Sequence, residues 1–322
     1  MNRYLADISI IYELVNRIFI TNPISVEHVA EGVSTCVYRI VFQHETFYLR
    51  VLPEEGASLA PEVAVHKRLR ELQVKVPEVI YFDHLYEPLQ RSVMLTTGIK
   101  GIPASESSEL SQNELAAVVV EAGRDLARIN GVKVEGFGWM KRDLPDIEHI
   151  YAEQATDRAF MLEYWEADLA YLGKHILDAS EIAALERIRI YYDPLLDGEQ
   201  GYLAHGDFDM THIFQENGRY TGIIDFGEIR GTNRWYDPGH FHVRDGEYTS
   251  YSHWLDIVHG YSEVALLPSN HECCIRFMST LINVRALVRS LQKRPANRYI
   301  RHQLEVLKEN MAVLLSEIPG TV

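Results

Sequence analysis

The chain has 322 residues, which at about 150 residues per domain predicts two domains or two lobes around a cleft. Hydrophobic residues make up 47% and charged residues 24%, proportions that exclude the disordered, collagen-like and low-complexity classes. With 31 Lys and Arg against 46 Asp and Glu, the formal net charge of −15 argues against a protein that grips nucleic acid or an anionic membrane through its basic residues.

Between Met1 and Asn22 the apolar residues Leu5, Ile8, Ile11, Val15 and Ile18 recur at helical spacing, and Asp7, Glu13 and Arg17 interrupt them. That pattern predicts an amphipathic helix and not a signal peptide. No stretch approaches the roughly 18 apolar residues that cross a bilayer. Cys36, Cys273 and Cys274 have no C-x-x-C spacing, so a cytoplasmic, disulfide-free protein is expected.

Runs of β-branched and aromatic residues at Ile24–Val29, Cys36–Phe42 and Thr46–Leu52 predict three antiparallel strands. A helix follows over Leu59–Gln73, then two strands at Val79–Phe82 and Ser92–Thr97. The Gly and Pro cluster from Gly98 to Pro103 reads as a hinge. Helical periodicity then dominates, over Gln112–Asn130, Ile147–Gly173, Glu181–Tyr191 and Tyr248–Val264, and from Glu272 to the end. One β-like stretch, Tyr202 to Phe226, interrupts it.

The densest polar cluster falls in that stretch. Leu203-Ala204-His205-Gly206-Asp207 leads through Asp209 and His212 to a hairpin centred on Asn217-Gly218, which returns to Gly222-Ile223-Ile224-Asp225-Phe226-Gly227-Glu228. A two-residue turn there makes every cross-strand pair sum to 435 and sets His212 opposite Ile223. His212 and Asp225 are then diagonal neighbours on one face, roughly 7 Å apart or less, a separation suited to two ligands of one metal ion. Asp207 lies in the loop leading into the hairpin. An imidazole, a carboxylate and a free carboxylate together suit metal-assisted phosphoryl transfer, in which a carboxylate takes the proton of the attacking hydroxyl. No Walker loop occurs, because Gly173-Lys174 is followed by His175.

His205-Gly206-Asp207 with a ligand residue five positions on, followed by Ile224-Asp225-Phe226-Gly227, resembles the aminoglycoside phosphotransferase family. These are small-molecule kinases with a protein-kinase-like fold, related to choline kinases. Residues 31–38 look like the family's nucleotide loop, Phe47–Val51 like its phosphate-pairing strand, and Glu62 like the helix glutamate that holds the pairing residue. Leu126–Asn130 and Gly136–Gly138 also match landmarks of the family.

The resemblance implies an α+β, two-lobed fold, with a small antiparallel nucleotide lobe over residues 1–97 and a larger, mostly helical catalytic and substrate lobe over 98–322. It implies Asp207 as catalytic base and His212 and Asp225 as Mg2+ ligands. Ser34, Arg50, Glu62, Thr97 and Ile99 would bind the ATP or GTP co-substrate. His212 stands where asparagine is usual, and Arg50 where protein kinases place lysine.

The expected reaction moves a γ-phosphate to a hydroxyl of a small molecule. A cationic aminoglycoside held by Asp209, Glu228, Glu163 and Glu166 is the leading acceptor, since acidic walls concentrate polycations. A macrolide, an amino alcohol, a sugar and homoserine are the other acceptors, and a nucleotide-binding pseudokinase or regulator is the non-enzymatic alternative. The stretch 276–302 has seven Lys and Arg and no Asp or Glu, and is expected to be a solvated face or one packed against acidic helices. His240 and His242 are expected to pack rather than bind metal.

Overall fold

The computed structural model describes residues 5–29, 35–293 and 297–319. Half of the expected nucleotide loop, residues 31–34 and with them Ser34, lies outside them. Asp7 opens helix α1 (Ile8–Phe19) by accepting the Ser9 N–H, a standard N-cap. The helix turns Ile11, Leu14 and Val15 inward, where they pack with Ile40, Leu49, Val51 and Leu95 of the first sheet.

That sheet is built from β1 (Ser25–Val29), β2 (Cys36–Val41), β3 (Thr46–Val51), β4 (Val79–Tyr86) and β5 (Arg91–Thr97), in the order β1-β2-β3-β5-β4. All its pairings are antiparallel. Helix α2 (Ala60–Glu71) crosses between β3 and β4, with Pro61 in its first turn, where the missing N–H costs nothing. Five strands and one crossing helix are what the pattern of residues 24–97 predicts.

After β5, β6 (Ile102–Pro103) precedes α3 (Gln112–Ile129), which starts in a capping box of Ser111 and Glu114. Then come β7 (Lys133–Val134), β8 (Phe137–Met140), β9 (Ala152–Gln154), α4 (Asp157–Met161), α5 (Trp165–His175) and α6 (Ala179–Tyr192). Strands β10 (Gly201–Ala204), β11 (Ile213–Glu216), β12 (Arg219–Ile223) and β13 (Arg230–Thr232) carry the polar cluster. Helices α7 (Tyr236–Arg244), α8 (Trp254–Ser262), α9 (His271–Lys293) and α10 (Arg298–Ser316) complete the helical lobe. No helix among the described residues is long and apolar enough to cross a membrane.

Two expected helices are divided. The stretch 147–173 is not one helix, because Ala152 and Gln154 pair with Met140 and Phe137 at a sheet edge, satisfying backbone groups that a helix would have used. Thr156 then caps α4, and α5 begins only at Trp165. The long C-terminal helix is two helices, the second starting under Asn297, whose side chain accepts the Ile300 N–H.

The hairpin also differs in register. Asn217 and Gly218 both have positive φ, 54° and 74°, as a two-residue type I′ turn requires. Glu216 pairs with Arg219 and Gln215 with Tyr220, in the expected register. A bulge then leaves Thr221 unpaired, so that Phe214 faces Gly222 and Ile213 faces Ile223. From there on every side chain is displaced by one residue from the expectation.

Candidate active site

The loop between β10 and β11 is held from below. Asp237, fully buried at the start of α7, accepts the N–H groups of His205 and Gly206, both at 2.8 Å, and the Asn130 side-chain amide at 2.7 Å. Gly206 has φ +88°, and a Cβ there would lie 1.9 Å from the Glu228 carbonyl oxygen, so the close approach of these two segments needs glycine. The buried His205 donates from Nε2 to the Ile224 carbonyl at 2.8 Å and accepts the Asp207 N–H at Nδ1 at 3.3 Å. Both ring nitrogens are thereby satisfied in a neutral imidazole. Burial, then the neighbouring His212, holds its pKa down.

Asp207, His212 and Asp225 converge at one end of a cavity of about 900 Å³. They do so by a route the spacing did not predict. Strict alternation from the bulged register would send Asp225 away from His212, but Asp225 adopts the left-handed conformation, φ 62° and ψ 65°. Asp tolerates that region better than most residues. Its Oδ2 comes to 3.9 Å from His212 Nε2, while its Oδ1 accepts the Gly227 N–H.

His212 Nδ1 faces the Asp207 carbonyl oxygen at 2.7 Å. A carbonyl only accepts, so Nδ1 carries the proton and Nε2 presents a lone pair toward Asp225. That is the tautomer a metal ligand needs, and the half-exposed Asp225 Oδ2 is the matching oxygen. Asp207, Asp209 and His212 also lie close enough to share an ion. Asp209, however, is buried, accepts from the Thr211 amide and hydroxyl, and pairs with Arg244 at 3.2 Å. Its oxygens are committed, so His212 and Asp225 are the pair that fits a divalent cation.

Asp207 remains a free carboxylate at the mouth of the cavity, with His240 Nε2 3.4 Å from its Oδ1. Burial pushes its pKa up, but His240, His212, His205 and Arg244 together outweigh burial and hold it below the ordinary carboxylate value. Asp225 behaves alike, with Arg50 the largest of the groups that lower its pKa against burial.

Arg50, on β3, reaches Asp225 Oδ1 at 3.5 Å and the Thr35 hydroxyl at 3.3 Å. Glu62, on α2, does not hold it. This carboxylate is fully buried and pairs with Arg142, from the segment after β8, because that side chain enters from the helical lobe and takes the position beside it. Burial raises the Glu62 pKa, and Arg142 and then Arg50 oppose the rise.

At the far end of the cavity Thr97 and Ile99 line the wall. The Thr97 N–H is spent on the Glu78 carbonyl at 2.9 Å, whereas the Ile99 N–H has no protein acceptor among the described residues.

Of the four acidic residues expected to receive a substrate, Glu163 and Glu228 line the cavity. Asp209 is sealed by Arg244, and Glu166 is exposed on α5 outside the cavity lining. Two residues that the spacing did not mark belong to the site. Arg142 sits in a polar Lys-Arg pair with no pattern of its own, and His240, expected to pack, is the ring beside Asp207. The neighbouring His242 does pack, buried against Trp254 and Ser279.

A five-stranded antiparallel lobe over a helical lobe, with a carboxylate and a metal-competent pair in the cleft between them, defines a kinase-like phosphotransferase. The chain belongs to the phosphotransferase enzyme family, whose model matches residues 25–259. It is 22% identical over 213 residues to an aminoglycoside 3′-phosphotransferase of Enterococcus faecalis, covering 64% of this chain and 75% of that one.

Among solved structures it resembles a thermostable mutant of aminoglycoside phosphotransferase APH(4)-Ia in ternary complex with AMP-PNP and hygromycin B. The TM-score is 0.67 at 15% identity, over 96% of this chain and 99% of the other. A GDP complex of an aminoglycoside 2′-phosphotransferase IIIa mutant matches with a TM-score of 0.58 at 16% identity, over 95% and 98% of the two chains.

Proposed function

We propose that this chain transfers the γ-phosphate of ATP or GTP to a hydroxyl group of a small molecule in a Mg2+-dependent reaction. Residues 1–97 form the nucleotide lobe in this reading, and residues 98–322 form the catalytic and acceptor lobe. The observation that carries it is the meeting of Asp207, the His212 Nε2 lone pair and Asp225 in one large cleft that is also lined by the C-terminal end of β5.

Asp207 accepts the proton of the attacking hydroxyl, and its lowered pKa keeps it ionised at neutral pH. The hydroxyl oxygen then bonds to the phosphorus while the bond to the bridging oxygen of the nucleoside diphosphate breaks. Asp237 keeps the Asp207 loop in place during this step. Arg50 lies where a positive charge meets the phosphates, and the Ile99 N–H is the donor left to read the base. His212 and Asp225 would hold the magnesium ion, which when bound neutralises charge on the transferring group.

The test is nucleotide consumption by Asp207→Asn. Turnover should fall by roughly 10²–10⁴-fold while nucleotide binding and fold persist, because the substitution removes the proton acceptor and keeps the shape. Turnover near the parent rate would remove Asp207 from that role. Nucleotide binding with no turnover by the parent on any acceptor would favour a regulator.

A further inference from the structure

The acceptor end of the cavity is bounded by α4, α5, α7 and α9, and its charges do not suit a polycation. Asp168 pairs with Arg285 at 2.7 Å and Glu228 with Arg230 at 3.2 Å. The Glu163 carboxylate lies beside the Tyr164 hydroxyl and raises its pKa. Arg289, one turn beyond Arg285 on α9, lines the same wall and is exposed, with no ion pair among the described residues. Lys293 follows another turn on, so α9 carries two like charges at i,i+4, an arrangement unfavourable in the free protein, and neither makes an ion pair among the described residues.

The rest of the wall is aromatic. Trp139, Phe160, Tyr164, Trp165, Tyr236 and Tyr299 line the cavity. Arg285 stacks on the Tyr164 ring at 4.0 Å and Arg230 on Trp139 at 4.2 Å, so on these two rings a face that would attract an ammonium group is already covered by a guanidinium group. What remains on offer is apolar ring surface and one uncommitted guanidinium.

We infer that the phosphate acceptor is an anionic small molecule, with a carboxylate or phosphate group received by Arg289 and a flat or apolar body against these rings. This inference rests on the small-molecule kinase reading and specifies its acceptor. Arg suits the role because its fork binds carboxylate and phosphate alike in bidentate fashion. The aromatic wall holds the body by burial, which leaves the hydroxyl free to meet Asp207.

The experiment is a calorimetric titration of the Mg2+ and AMP-PNP complex of the full chain with three probes at low ionic strength. They are 4-hydroxyphenyllactate, its uncharged methyl ester and kanamycin, each run on the parent and on Arg289→Glu, with thermal unfolding as the check that both proteins fold. The anion should bind the parent, lose roughly tenfold or more in affinity in Arg289→Glu, and outcompete its ester, while kanamycin gives no heat.

Kanamycin binding to the parent, failure of the anion to bind, or equal affinity of the anion for both proteins would each overturn the inference. The kinase reading is tested separately, by Asp207-dependent nucleotide turnover. Kanamycin-stimulated turnover that Asp207→Asn abolishes would keep that reading and refute this one. Anion binding without turnover on any acceptor would refute the kinase reading and with it the assignment of the anion as phosphate acceptor.

Discussion

Two hydrogen atoms set the chemistry of the cleft. The Nδ1–H of His212 is spent on the Asp207 carbonyl, and the Nε2–H of His205 on the Ile224 carbonyl. Both rings are thereby fixed, and only His212 is left with a lone pair facing a carboxylate. His212→Ala should therefore raise the magnesium concentration needed for half-maximal turnover by roughly tenfold or more, as read from activity against metal concentration. An unchanged curve would place the ion elsewhere. The types and spacing of Asp207, His212 and Asp225 were legible in the chain because each recurs at a fixed offset from a glycine turn. The Glu62–Arg142 pair was not, because the two residues lie eighty positions apart and only the packing of the lobes unites them.

At the scale of elements, the loop carrying Asp207 depends on α7. Asp237 satisfies three buried donors from two other elements, and none of them reaches water. Asp237→Ala should cost roughly 3 kcal/mol or more of stability, since each orphaned buried N–H bears its own desolvation penalty. Denaturant unfolding measures this, and a loss under about 1 kcal/mol would show that the loop is held by other contacts.

The hairpin separates what pattern can and cannot tell. Asn217-Gly218 announced the turn and the first two pairs. The bulge at Thr221 was silent: it coincides with a tertiary contact, the Thr221 hydroxyl bonding the Lys100 carbonyl at 2.7 Å, beyond the reach of any local rule. His212 and Asp225 still meet, through the left-handed backbone of Asp225 in place of the expected diagonal.

For the whole molecule, buried ionisable groups couple the fold to pH. Burial pushes the pKa of His66 down to about 4 and that of His242 to about 3. An unfolded histidine binds its proton near 6.5, so between that pH and these lower values the unfolded chain holds more protons and stability falls as pH falls. Asp157 opposes this, because burial raises its pKa to about 6, and its contribution to stability falls as pH rises from about 4 to 6. The histidines outnumber it, so stability should drop by about 2 kcal/mol from pH 7 to pH 5, and His66→Gln should remove most of that drop. Denaturation midpoints at the two pH values decide it, and a flat profile for the parent would show that these rings stay solvated.

The order of strands and helices in the first lobe, the Asn-Gly turn and the residues of the Asp207, His212 and Asp225 cluster were determined by the sequence alone, because alternation, capping and turn chemistry act within a few residues. The breaking of the 147–173 helix at a sheet edge, the sealing of Asp209 by Arg244 and the lining of the cleft by Arg289 were decided only in the tertiary structure. Each depends on which distant surface arrives first at a backbone edge or a charge, and that competition is settled by packing between elements far apart along the chain.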